Sequence, residues 1–285
     1  MNRWMGSLAV SLALLFGMDA ALAASSKDEV RKQIEASMLV QGTIDIDEAG
    51  KVTDYQIKQA DAVPKAMLEI VDKRVRAWQF EPVQVDGKAV RARSPLQMRL
   101  VTRKEGDRFL FRIGGATFGT TYEKEESVSA RGRLPPPRYP EVAVDAGVGG
   151  TVYLVLRIGR DGKVEEAVAE QVNLRTLGSQ AEMERFRVVL AESAIGAAKR
   201  WRFDYPTRGG DADAPFVSVR LPVDYVIGAQ KLEKAGQWQA YVPGPRQRAS
   251  WLPPEPDSAS ADALAAWGIY PVGKGPRLLT SLEES

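Results

Sequence analysis

The 285-residue chain contains no histidine and no cysteine. The first absence removes the usual general base, the commonest metal ligand and the side chain that switches charge near neutrality. The second removes thiol nucleophiles, soft metal sites and disulfide staples, so any fold must stand on packing alone. An excess of one charge is missing too, and a formal net charge of +2 is too small to argue for nucleic acid or an acidic partner. No G-x-S-x-G, S-x-x-K or G-x-x-x-x-G-K-[ST] run occurs, so the common serine-nucleophile and phosphate-loop signatures are absent. No catalytic residue, metal site or cofactor is expected, and the chain reads as a protein that binds rather than one that catalyses. Asp45-Ile46-Asp47-Glu48-Ala49-Gly50 opens like a calcium loop, but Ala49 stands at its fifth position and Gln56 at its twelfth. A strand running into a turn is the expectation there.

What is present begins with an export signal. Arg3 precedes an apolar run from Met5 to Met18, and Ala21-Leu22-Ala23 supplies the small-x-small pattern of a cleavage site. The run is shorter than the roughly 20 residues of a spanning helix, so residues 1–23 are expected to be removed and the mature chain to be periplasmic. An uncleaved inner-membrane anchor is the alternative. With 44% hydrophobic and 27% charged residues, the remainder is composed like an ordinary globular protein of one or two domains.

One pattern then occurs twice. Val40, Ile44 and Ile46 alternate up to Ala49-Gly50-Lys51-Val52, and Val152, Leu156 and Ile158 alternate up to Asp161-Gly162-Lys163-Val164. Alternation ending in a glycine turn predicts a hairpin. Trp78-Gln79-Phe80 returns as Trp201-Arg202-Phe203. Stepping back from each Trp, Val75, Val71 and Met67 form one helical stripe, and Ala198, Ala194 and Leu190 the other, with Phe186 a turn further. A closing strand follows, alternating through Leu96, Met98 and Leu100 or through Val217, Val219, Leu221, Val223 and Tyr225. One face of each sheet is expected against the helix and the other in water. The fold class is therefore α+β: two ββαβ modules, each a small antiparallel sheet packed on one helix, with strand order 2-1-3. Strand three lies on an edge, where Pro222 is tolerated.

Pro135-Pro136-Pro137-Arg138-Tyr139-Pro140, Gly150, Asp161-Gly162-Lys163-Val164, Lys199-Arg200-Trp201-Arg202-Phe203 and the closing strand occur in that order. Over about residues 135–226 this series resembles the TonB C-terminal domain, and residues 28–102 resemble it more distantly, without the Pro-Arg-Tyr-Pro lead. The resemblance implies a periplasmic domain that docks an outer-membrane TonB-dependent transporter, whose TonB box adds to the sheet edge as a strand. Carried over by position, the docking strand is 216–226, with Phe216, Val217, Ser218, Val219, Arg220 and Leu221 as the candidate site. This chain departs from the family in having no His and no long Pro-rich spacer, so energy transduction by it alone is not expected. Neither a nucleic-acid nor a small-molecule partner is implied.

The resulting domain plan is a signal peptide at 1–23, a divergent module at 24–113, a linker at 114–134, a second module at 135–242 and a Pro/Ala-rich tail at 243–285. A short helix is expected near 259–267. Phe109, Phe111 and Ile113 alternate after the first module, and Trp238, Ala240 and Val242 after the second. Each set predicts a fourth strand folding back on strand three. A free third-strand edge favours docking, whereas edges covered in both modules favour a structural envelope scaffold that self-associates. Mass spectrometry of the periplasmic protein is expected to find Ala24 at its N-terminus. Recovery of the intact chain from the inner membrane alone would establish the anchored form.

Overall fold

Asp47 and Asp161 each turn the chain with a carboxylate: Asp47 Oδ1 accepts from the Ala49 and Lys51 amides, and Asp161 Oδ1 from Lys163. The glycines that follow, Gly50 and Gly162, sit at φ of 81° and 76°, a region where a side chain would strain the backbone. A Cβ at either would run into a carbonyl oxygen, that of Phe80 or of Phe203. The close approach is used. Phe80 donates its N–H to the Gly50 carbonyl at 2.7 Å, and Phe203 donates to Gly162 at 2.9 Å. Each hairpin tip is thereby tied to the residue two places beyond the tryptophan that ends the helix.

The computed structural model describes residues 27–119, 124–252 and 263–282, and the expected signal segment lies outside them. Its strands are β1 (Glu35–Ile46), β2 (Val52–Ile57), β3 (Gln84–Val85), β4 (Lys88–Ala89), β5 (Ala92–Glu105), β6 (Arg108–Phe118), β7 (Ser129–Ala130), β8 (Gly150–Gly159), β9 (Val164–Leu174), β10 (Phe203–Asp204), β11 (Phe216–Tyr225), β12 (Trp238–Tyr241) and β13 (Tyr270–Pro271). Residues 27–32 are helical, and the further helices are α1 (Lys65–Arg76), α2 (Glu141–Asp145) and α3 (Gln180–Ala198). The architecture is mixed α+β and mostly antiparallel. In the first sheet β1 is central, with β5 along one side, β2 and β12 sharing the other, and β6 outside β5. The second sheet has the order β13-β11-β8-β9.

Each sheet buries one face under a helix. Val71 and Val75 of α1 join Met38, Ile44, Leu96 and Met98 in the first core. Leu190 and Ala194 of α3 join Val152, Leu154, Val219 and Leu221 in the second. A capping box fixes the start of α3, with Ser179 and Glu182 each bonding the other's backbone N–H. Trp78 and Trp201 close the two cores, both 1% exposed. Their polar ends differ. Trp201 Nε1 donates to the Pro135 carbonyl at 2.8 Å, whereas Trp78 Nε1 is buried without a partner. Pro135, which opens the proline run ahead of Arg138-Tyr139-Pro140 that the first half lacks, supplies that acceptor in the second.

The Phe109–Ile113 strand covers strand three of the first half as expected, and as β6 it runs on to Phe118. Other expectations are corrected. The Trp238–Val242 strand does not cover β11. As β12 it crosses to β1, pairing Glu35 with Tyr241 and Met38 with Trp238, and Val242 bridges to Leu174 on β9. The faces expected in water meet each other or the tail. Arg99 forks onto Glu233 and also reaches Ser37. Arg175 pairs with Asp224 at 2.7 Å, and Thr151 donates to the same carboxylate. These side chains are almost fully buried, so only good geometry offsets their desolvation. The tail is folded as well: Ala249 and Leu252 pack on Val155, Leu278 and Leu282 enter the first core, and Leu279 donates its N–H to the Gln79 carbonyl. The short helix expected near 259–267 falls partly outside the described residues.

Truncating Trp201 to Ala should destabilise the protein by about 3–5 kcal/mol. The orphaned indole gives a finer prediction. Trp201→Phe loses a hydrogen bond and strands the Pro135 carbonyl, whereas Trp78→Phe removes a donor that was never satisfied. Urea denaturation should find Trp201→Phe the worse of the two by about 1–2 kcal/mol; equal losses would contradict the assignment.

Candidate docking edge

β11 sits where the 2-1-3 order puts it, beside β8 and away from β9, with Phe216 opposite Gly159 and Tyr225 opposite Gly150. Val217, Val219, Leu221 and Val223 point into the core under α3. The alternate residues face the other way, and each of them has company. Trp251 Nε1 donates to Ser218 Oγ at 3.2 Å, the Arg157 guanidinium lies 4.4 Å from the centre of the Phe216 ring, and Arg220 forks onto Glu170 at 2.7 and 2.9 Å. The Arg220 and Glu170 side chains are only 13% and 9% exposed. Ser218 and Arg220, expected as wet side chains, are therefore covered, because tail residues Trp251, Leu252 and Val272 lie over that face.

The outer edge of β11 carries the tail as well. β13 pairs antiparallel with it, Pro271 opposite Val219 and Tyr270 opposite Arg220. Val272 donates its N–H to the Ser218 carbonyl at 2.9 Å, and Trp267 donates to the Pro222 carbonyl at 2.8 Å. In an antiparallel strand the N and O of one residue point to the same side, so the missing N–H of Pro222 lies on this outer side and interrupts no bond to β8. Tyr270 Oη closes the tail loop, accepting from the Ala265 amide and donating to its carbonyl. Burial pushes the Tyr270 phenol above its ordinary pKa. Toward the N-terminal end of β11 the described tail residues add no further strand pairing, though Lys274 pairs with Asp211 at 2.7 Å. Phe216, Val217 and Ser218 there border a pocket of about 210 Å³ with Trp251, Pro271 and Val272.

The six site residues named from sequence are thus contiguous on one strand, and the residues missed are those of the tail that lie along it. The available signal was the short run Ile269-Tyr270-Pro271-Val272, β-prone and carrying a proline that a strand accepts at an edge. The acidic run at the first hairpin serves structure. Arg93 bonds both oxygens of Asp45 at 2.6 Å and holds that carboxyl below its usual pKa, and Asp47 caps the turn.

Two proteins entitled "Protein TonB", from Xanthomonas campestris pv. campestris strains B100 and ATCC 33913, are each 29% identical to this chain over 92 residues. The match takes in 32% of this chain and 35% of each relative, so the chain spans about a third of the length of the curated relatives it matches. No family model matches, and no solved structure does. The similarity is distant and supports a TonB-like relationship at most. Among the described residues no helix is long and apolar enough to cross a membrane.

Arg220→Ala should destabilise the protein by about 3–5 kcal/mol, because it leaves the buried Glu170 carboxylate without its partner. Chemical denaturation of the variant checks this. A change within experimental scatter would mean that the pair is solvated.

Proposed function

We propose that this is a periplasmic TonB-like binding protein that works without catalysis, built from two diverged ββαβ modules. In this reading β11 docks an extended segment of an outer-membrane transporter once the tail strand is displaced. The duplication is supported by the matched Gly50–Phe80 and Gly162–Phe203 contacts, which join hairpin to helix end in the same way. The observation that carries the docking reading is the thinness of the cover on β11. A two-residue strand and two flanking amide bonds hold it, and the pocket beside Phe216 leaves room for an incoming strand to start. Strand addition relies on main-chain donors and acceptors, and the tail already donates to the carbonyls of Ser218 and Pro222.

A second reading is favoured by a specific observation: β5 is covered along most of its length by β6, and β11 in part by β13. Covered third strands suit a structural envelope scaffold whose modules self-associate.

Calorimetry with synthetic transporter segments separates the two. Val272→Pro deletes the amide that bonds Ser218 and loosens the tail, so it should bind such segments about tenfold more tightly than the parent chain. Ser218→Pro deletes an outward N–H of β11 and should lose binding while circular dichroism shows an intact fold. Should neither parent nor Val272→Pro bind any segment, the scaffold reading stands instead.

A further inference from the structure

β6 is the last strand of the first sheet, and among the described residues no strand pairs with its outer edge. Unpaired main-chain groups on an edge are a template for another strand. A cleft of about 670 Å³ reaches this strand, lined by β6 residues Leu110 to Gly114, by Glu35 of β1 and Val101 and Arg103 of β5, and by Pro243, Gly244 and Arg246. Its volume falls within the range of ligand-binding clefts.

The cleft is charged on one side of the balance. Arg74, Arg103, Arg112 and Arg246 line it with one carboxylate, that of Glu35, and of these four Arg112 and Arg246 are already engaged. Glu35 is already engaged by Arg112 at 2.9 Å and by the Tyr241 hydroxyl at 2.9 Å. Arg103 reaches a carboxylate only at 3.9 Å, that of Glu105, and Arg74 has no carboxylate partner among the described residues. Of the apolar lining, Leu110 is exposed, whereas Val101 and Ile113 are buried.

We propose that this cleft binds an extended acidic peptide, added as a strand to the outer edge of β6. Main-chain bonds to β6 would supply affinity, and the guanidinium groups would select carboxylates, which they meet with paired N–H donors. A strand's side chains alternate with period two, so the preferred peptide alternates acidic with apolar residues, matching the cations and the apolar lining. The site is separate from β11 and does not depend on the docking reading given above.

The probe is a synthetic peptide alternating Glu with Val, titrated calorimetrically into the full chain. Binding should be saturable and should weaken as salt is raised. Arg74→Gln and Arg103→Gln, both on partly or fully exposed side chains, should each weaken it about tenfold. A peptide methylated on alternate amide nitrogens should bind far more weakly than the parent, a loss that charge attraction alone would not produce. Equal affinity for a Gln–Val peptide, or unchanged affinity in the Arg74→Gln/Arg103→Gln double variant, would overturn the proposal. Binding that appears only after Glu283→Gln and Glu284→Gln would also overturn it, assigning the cleft to the chain's own acidic end next to Leu282. Val272→Pro and Ser218→Pro alter the β11 edge alone and should leave this binding unchanged, so either site can fail without the other.

Discussion

Everything in each half of the molecule hangs on one backbone contact, the amide of a phenylalanine donated to the carbonyl of a glycine in a hairpin turn. Gly50 with Phe80 and Gly162 with Phe203 fix the angle at which the chain leaves the helix and re-enters the sheet. Only glycine lets the two backbones come this close, since a Cβ would occupy the carbonyl oxygen's place. With that distance set, the preceding tryptophan has one position, sealing the space between helix and sheet. Trp78 then meets Phe80 and Phe118 edge to face, with ring centres 6.4 and 5.6 Å away.

The helix-covered faces account for only half of the packing problem. An isolated sheet backed by one helix would leave its second face wet, and here those faces carry charge without being wet. Arg99 with Glu233, Arg175 with Asp224 and Arg220 with Glu170 are all buried. Ion pairs of this kind contribute little net stability, because desolvation consumes most of the attraction. They do fix register, since a carboxylate and a guanidinium fork satisfy each other in few arrangements. β12 adds a hydrogen-bonded tie between the sheets: it follows β11 in the chain and pairs with β1, and the next residue, Val242, bridges to Leu174.

The legible parts of this fold were the ones encoded locally. Period-two alternation marked β1, β8 and β11, the glycine turns marked the hairpins, and the stripe of Val71 and Val75 or Leu190 and Ala194 marked the helix faces that end buried. The candidate strand was legible for the same reason. What stayed hidden depended on distant partners. Nothing within Trp238–Tyr241 distinguishes a strand that covers β11 from one that crosses to β1. Ser218 and Arg220 have the polarity of solvent-facing residues, and they are covered because Trp251 and Glu170, far along the chain, happen to meet them. The tail was read as composition, and its prolines concealed the two residues that form a strand.

The tail's hold on β11 has a magnitude that matters for any docking reading. Two amide bonds flank a two-residue ladder, and each main-chain bond contributes a net of about 0.5–1.5 kcal/mol. Displacing the contact would therefore lower a partner's apparent affinity by about tenfold to a hundredfold. That is too little to close the edge and enough to discourage pairing between copies, which is how natural sheets commonly treat an exposed edge. β6 is protected by different means. A bulge near Gly114 breaks its register with β5, and its own Arg108 and Arg112 would repel a second copy of the same strand. Those devices discriminate by charge: a basic or identical strand is rejected, whereas an acidic one meets the arginines of the neighbouring cleft.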